Sequence, residues 1–227
     1  MKIINPSTHL YVNGQPLAWK YGIDMLKAIE RIGRTCYKSE DKITDDSYEA
    51  FVRNLIKRGH LSVIEHCSVT ADIICDRGVT HEIVRHRIGS YSQESTRYCN
   101  YSADKYGNEI TVIDPGPAFG WDDDTPAAIA KRIHWKSACR VAEMQYLKML
   151  QNGASPQEAR SVLPNSLKTE IWVTYNLREW RHFFKLRCAP AAHPQMQEVA
   201  RMLLAEMTAY VPIIFDDIYE EVFHRNE

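Results

Sequence analysis

Two segments of this chain change side-chain character at every second residue, and nothing else in the sequence limits its fold as much. Val69, Ala71, Ile73 and Cys75 alternate with Ser68, Thr70, Asp72 and Asp76, with Ile74 as the one exception. Leu167, Thr169, Ile171, Val173 and Tyr175 alternate with Lys168, Glu170, Trp172 and Thr174. That period belongs to a strand with one face buried. The sequence around these segments has a different rhythm. Met25, Leu26, Ile29 and Ile32 recur at helical spacing, as do Tyr48, Phe51, Val52, Leu55 and Ile56, with Gly59 as the expected stop.

The same reasoning predicts a long helix from about Pro126 to Gln151, with Ile129, Ile133, Val141, Tyr146 and Leu150 on its inner side and Gly153 ending it. An acidic turn, Trp121 to Asp124, precedes it. Ser155-Pro156-Gln157-Glu158 has a cap serine, a proline in the first turn and a glutamate three residues on, which is a capping box. Asn176 should cap a helix running to about Arg187, and Pro194 should open another through Leu204. Val79, Ile83 and Val84 indicate a short helix, followed by a loop at Gly89, Ser90 and Ser92. After His9-Leu10-Tyr11-Val12, the pair Asn13-Gly14 suits a tight hairpin turn. Strands and helices mix without a regular βαβ beat. The expected fold is therefore α+β, a mixed sheet with packed helices in a single domain spanning 1–227.

Charge and cysteines narrow the function classes. Lys+Arg 28 against Asp+Glu 29 argues against bulk nucleic-acid binding, which needs a positive excess. Met1 to Pro6 has no basic-then-apolar signal pattern and no apolar run reaches membrane-spanning length, so cytoplasm is the expected location, with no membrane partner. The six cysteines contain no C-x-x-C pair and read as reduced thiols, neither a disulfide frame nor a zinc site. The absence of G-x-G-x-x-G and G-K-[ST] removes the two commonest nucleotide folds.

Three clusters could carry chemistry. Gly59-His60-Leu61-Ser62-Val63-Ile64-Glu65-His66 sets two histidines and a carboxylate around a serine; taken alone, a helix-to-strand turn with a few satisfied polar groups explains it better than a site does. His60 and His66 are six apart with no H-E-x-x-H spacing, so no metal is expected. The second cluster, Arg85 to Tyr98, packs three arginines, a histidine and four serine or threonine hydroxyls into fourteen residues. Guanidinium forks beside short hydroxyl donors suit a phosphorylated ligand. Ser95 and Arg97, with one residue between them, can converge in an irregular loop. The third cluster is Asn176 to Arg187, where Arg178 and His182 are i and i+4 and share a helix face. Taken alone, a solvated charged face fits that helix equally well.

Together the clusters resemble the flavin-dependent thymidylate synthases: His-x-Ser-x-x-Glu-His at 60–66, Arg-His-Arg, seven residues, then Ser-x-Arg at 85–97, and the arginine-rich helix at 176–187. The resemblance implies an FAD enzyme that makes dTMP from dUMP. 5,10-Methylenetetrahydrofolate would give the carbon, and NADPH would reduce the flavin. It also implies an α+β homotetramer with sites shared between subunits. By motif position, Ser62, Arg85, His86, Arg87, Gln93, Asn176, Leu177, Arg178 and His182 would contact FAD. Glu82, Ile83, Val84, Arg85, Gln93, Glu94, Ser95, Thr96, Arg97, Arg160 and Arg187 would contact dUMP. Arg187 would be the catalytic group, facing the uracil ring, with no cysteine nucleophile needed. Family members often carry Gln where this chain has Glu82 and Glu where it has Gln93, and threonine also occurs at the Ser62 position.

Overall fold

The computed structural model describes residues 1–224. In chain order the main elements are β1 (Lys2–Ile4), β2 (Ser7–Val12), β3 (Gln15–Pro16), α1 (Trp19–Thr35), α2 (Ser47–Lys57), β4 (Ser68–Asp76), α3 (Arg77–Ile83), β5 (Ser90–Gln93) and β6 (Thr111–Ile113). They continue as α4 (Gly116–Phe119), α5 (Pro126–Gln151), α6 (Pro156–Ala159), β7 (Lys168–Asn176), α7 (Leu177–Arg187), α8 (Pro194–Tyr210) and α9 (Pro212–Phe223). A mixed α/β architecture is therefore present. The expected single mixed sheet resolves into two: a parallel pair, β1 with β6, and a five-stranded antiparallel sheet in the order β3-β2-β4-β7-β5. Among the described residues no helix is long and apolar enough to cross a membrane.

The chain divides into two compact units. The first holds Met1–Ser7, Ile73–Arg85 and Ser92–Ile171; the second holds Thr8–Asp72, His86–Tyr91 and the chain from Trp172 onward. Strands β4 and β7 each run through both. Their burial alternates as the sequence predicts, with Val69, Ala71, Ile73, Ile171 and Val173 at 1% exposure or less. Each strand ends on the residue that caps the next helix. Asp76 Oδ1 accepts from Val79 N at 2.7 Å, and Asn176 Oδ1 accepts from Glu179 N at 2.8 Å.

In the first unit, Tyr101, Ile110, Val112, Cys139, Tyr146, Ala159 and Leu167 form the core. Helix α5 departs from its expected inner face. Tyr146 is buried, but Ile129, Ile133 and Val141 are 39%, 60% and 51% exposed. The helix carries two apolar stripes; the one through Ala128, Trp135, Cys139 and Tyr146 faces the core, and spacing alone does not choose between them. The Ser155–Glu158 capping box forms as predicted.

In the second unit, α1, α2, α7, α8 and α9 pack around Ile29, Val52, Trp180, Phe183, Phe184, Leu203 and Phe215, all fully buried. Gly22 lets α1 approach the end of α8, since a Cβ there would lie 2.1 Å from the Tyr210 carbonyl oxygen. The β2–β3 hairpin turns through Asn13 (φ 50°) and Gly14 (φ 76°), both left-handed as a two-residue turn requires. Helix α8 runs past Leu204 to Tyr210, and α9, β1 and β6 were not expected.

Candidate active site

The first unit gathers the second half of the Arg-His-Arg cluster against α6. Residues 90–93 form a strand where glycine and serine had suggested a loop, and at its end Glu94 N donates to Glu170 O on β7 at 2.9 Å. Ladder hydrogen bonds outweigh the weak strand propensity of the serines. Beyond it the chain turns. Ser95 Oγ accepts from Arg97 N at 3.3 Å, Arg97 Nε donates to Gln157 Oε1 at 2.8 Å, and Arg160 Nη1 donates to Thr96 Oγ1 at 3.4 Å. Ser95, Thr96, Arg97 and Arg160 are thereby brought together. Two anchored guanidiniums beside two hydroxyls make a cradle for a doubly charged phosphate.

Two neighbouring groups are internally committed. Glu94 meets Lys168 Nζ at 2.9 Å and the Tyr101 hydroxyl at 3.0 Å, so its charge is balanced. The Gln93 amide donates to Thr80 Oγ1 (3.1 Å) and Thr169 Oγ1 (3.2 Å). Thr80 gives its own proton to Arg77 O, which makes its oxygen an acceptor and sets the direction of the Gln93 amide. Arg85 lies exposed at the end of α3, with Nε donating to His81 O at 3.3 Å, and Val84 is exposed beside it. Glu82 is partly buried. Ile83 is fully buried, so its side chain is closed to a ligand.

The second unit gathers the other half. His86 is 3% exposed, wedged edge-on against Phe183, with Nδ1 2.9 Å from Glu179 Oε1. Its other nitrogen, Nε2, accepts from Arg187 Nε at 3.0 Å. His182 Nδ1 approaches the same carboxylate at 3.2 Å. Burial and the nearby Arg187 cation hold the His86 imidazole below its usual value of 6.5, against the pull of Glu179. Tyr91 Oη donates to His86 O, and Tyr91 and Tyr175 share a hydrogen bond at 3.0 Å; burial raises both phenols. Ser62, Arg87, Arg178 and His182 are exposed. Arg178 Nη1 meets Glu65 Oε1 at 2.5 Å, which joins the first and third sequence clusters. Leu177 is fully buried with its N–H given to Cys67 O, so its side chain is closed to a ligand.

Sequence reasoning missed Glu179, the residue that organises this half. Its signal was the i, i+3 spacing to His182 on a helix whose cations needed acidic partners. The ligand atoms of His86, Glu179 and His182 lie within 4.8 Å of one another, a spacing a metal ion could use. An ion there would take the Nδ1 and Oε1 atoms that already bond each other, and would add a second cation near Arg187. Beside Arg187, Cys188 is 4% exposed and burial pushes its thiol up to about 12, outweighing the Arg201 charge.

The family model described as thymidylate synthase complementing protein (Thy1) matches residues 20–213. A protein of Geobacter sulfurreducens called flavin-dependent thymidylate synthase is 34% identical, over 84% of this chain and 80% of its own. Proteins of that name from Mycobacteroides abscessus and Mycobacterium tuberculosis are 35% and 34% identical, each over 83% of this chain and 78% of their own. Among solved structures, the UMP/dUMP methylase PolB of Streptomyces cacaoi, bound with 5-Br dUMP, shares the fold at a TM-score of 0.73. It is 22% identical and covers 99% of both chains.

Proposed function

The chain belongs to the thymidylate synthase complementing protein (Thy1) family, that of the flavin-dependent thymidylate synthases, and from this premise we propose that it methylates dUMP to dTMP with FAD as cofactor. 5,10-Methylenetetrahydrofolate is the carbon donor and NADPH the reductant. The working form is a cytoplasmic homotetramer in which residues 1–227 act as one catalytic domain and subunits share sites. The observation that carries this reading is the Arg187 guanidinium, held at Nε by a buried imidazole.

The chemistry follows from charge. Carbon 5 of uracil is a poor nucleophile, and it improves as the ring gains anionic character. A fixed guanidinium beside N3 and O4 stabilises the ionised ring, and preorganised charge of this kind is often the largest catalytic term. Ser95, Thr96, Arg97 and Arg160 hold the phosphate. Gln93, its amide nitrogen committed to Thr80 and Thr169, offers only its amide oxygen between cofactor and substrate, and Glu82, Val84 and Arg85 flank the nucleotide.

The donor set of the second unit fits a flavin dinucleotide. Arg87, Arg178, His182 and Ser62 are exposed donors suited to its phosphates and ring edge, with the Asn176 region as a further contact. When bound, FAD supplies the one-carbon relay and the hydride, while these residues bind and orient. A cysteine nucleophile is not required. Cys188, next to Arg187 in sequence, is buried with its thiol pushed up to about 12, so it lacks the thiolate such a role demands.

Self-association is supported by α5, whose exposed Ile129, Ile133, Val141 and Met144 form an apolar stripe on a charged chain. The experiment is spectral and then kinetic. The purified or FAD-reconstituted protein should absorb at about 450 nm, and NADPH oxidation with methylenetetrahydrofolate and dUMP should yield dTMP. A protein that takes up no flavin, or yields no dTMP, overturns the reading.

A further inference from the structure

We infer that the His86 side chain is a positioning group: with Glu179 behind it, it forms a relay, Glu179–His86–Arg187, that orients the uracil-activating guanidinium. The inference rests on the reading of Arg187 given above.

The geometry leaves His86 little room for another role. Its side chain is 1% exposed, and both ring nitrogens are taken, Nδ1 by Glu179 at 2.9 Å and Nε2 by Arg187 at 3.0 Å. Arginine Nε can only donate, so Nε2 of His86 must be the lone-pair nitrogen and the ring proton must sit on Nδ1. The ionised Glu179 selects that tautomer by accepting the proton. Glu179 is in turn held by the first turn of α7, where Asn176 accepts from its backbone N–H at 2.8 Å. The relay is thus anchored at a helix start and ends at the catalytic guanidinium. Contact through Nε, the nitrogen nearest the chain, sets the direction of the guanidinium plane. Protonation of His86 would remove the acceptor and place two cations face to face. Around the ring stand Glu179, His182 and Arg187 from α7, Tyr175 from β7, and the Tyr91 hydroxyl on the His86 carbonyl.

The logic matches a carboxylate–imidazole pair in which the acid fixes the tautomer and the other nitrogen works. Here the working nitrogen orients a cation instead of taking a proton. Glu179→Gln is the diagnostic substitution, because an amide can donate to Nδ1 and move the ring proton to Nε2, where it opposes Arg187.

The test uses the full-length FAD-loaded enzyme and the variants Arg187→Ala, His86→Phe, His86→Gln and Glu179→Gln. Each is measured for flavin absorbance, kcat and KM for dUMP, and histidine nitrogen NMR reports the tautomer. His86→Phe keeps an aromatic ring against Phe183 but removes the acceptor. It should lower kcat by about tenfold to a hundredfold, with flavin content retained. His86→Gln, whose amide oxygen can accept from Arg187, should recover most of that loss. Glu179→Gln should lower kcat and show the proton moved to Nε2. A group that only supports the fold would lower stability and flavin content in both His86 variants without separating Phe from Gln. The relay is overturned if Arg187→Ala is inactive while His86→Phe keeps the parent kcat, or if NMR of the parent finds the proton on Nε2. If Arg187→Ala itself keeps the parent kcat, the reading beneath the relay has failed, and the relay with it.

Discussion

Lys168 Nζ lies 2.9 Å from Glu94 Oε2, and this pair removes the one uncompensated negative charge from a loop that otherwise offers cations and hydroxyls. Lys168→Met leaves Glu94 as a partly buried anion next to Ser95 and Thr96 in the chain, where it repels a phosphate. KM for dUMP should rise about tenfold with kcat changed little. Adding Glu94→Gln should bring KM back towards the parent value. A single variant with unchanged KM contradicts this account of the phosphate cradle.

Arg181, one of the cations of α7, is 4% exposed and bonds both oxygens of Asp217 at 2.6 Å as well as the Ile214 carbonyl. Burial tends to raise the Asp217 carboxyl, and the Arg181 bonds outweigh it, holding it below 3.8. Asp217→Asn leaves a buried cation with a weaker partner. The half-exposed carboxylate limits the cost to about 2 kcal/mol, measurable as a fall in denaturant midpoint. Because the folded-state pKa is depressed, the Asp217 contribution is full above 3.8 and disappears as pH falls through the lowered value. The variant should therefore lose its deficit relative to the parent at acid pH.

His86 gives a separate pH signature. Burial and Arg187 lower its pKa below 6.5, so the folded protein prefers the neutral ring and the unfolded chain binds the proton more readily. The stability this contributes is full above 6.5 and declines as pH falls through the lowered folded value. The same protonation removes the acceptor for Arg187, so kcat should show an acid limb below 6.5. A pH–kcat profile of His86→Gln, which cannot titrate, should lack that limb. Its persistence would assign it to another group.

The exposed stripe on α5 predicts its own disruption. Ile133 and Val141 are 60% and 51% exposed, so replacing both with Glu costs little within one chain. On the proposed tetramer with shared sites, light scattering should show the mass fall from four chains to fewer, and dTMP formation should fall with it. A tetramer that survives the double substitution places the interface elsewhere.

Much of this was legible in the sequence, for a physical reason. Strands β4 and β7 are buried on one face only, so their alternation survives in the residue order, and caps such as Asn176 and Ser155 act on their own neighbours. What was hidden depends on partners far along the chain. Glu179 and His86 are 93 residues apart, and Arg187 and His86 are 101 apart. No local spacing could state that these three share protons. Arg181 was invisible as a core residue because its partner lies on α9, an element the periodicity did not reveal. Helix α5 failed differently: its two apolar stripes are equivalent in sequence, and only packing chose the one that faces inward.

At neutral pH, with saturating NADPH, folate and dUMP, the dTMP formed per enzyme-bound flavin weighs Arg187 directly against its neighbour Cys188. Turnover by Arg187→Ala should drop about a hundredfold or more with its flavin spectrum intact, while Cys188→Ala keeps most of the parent rate. A Cys188→Ala enzyme that is dead beside an Arg187→Ala enzyme that still turns over would contradict the proposed mechanism.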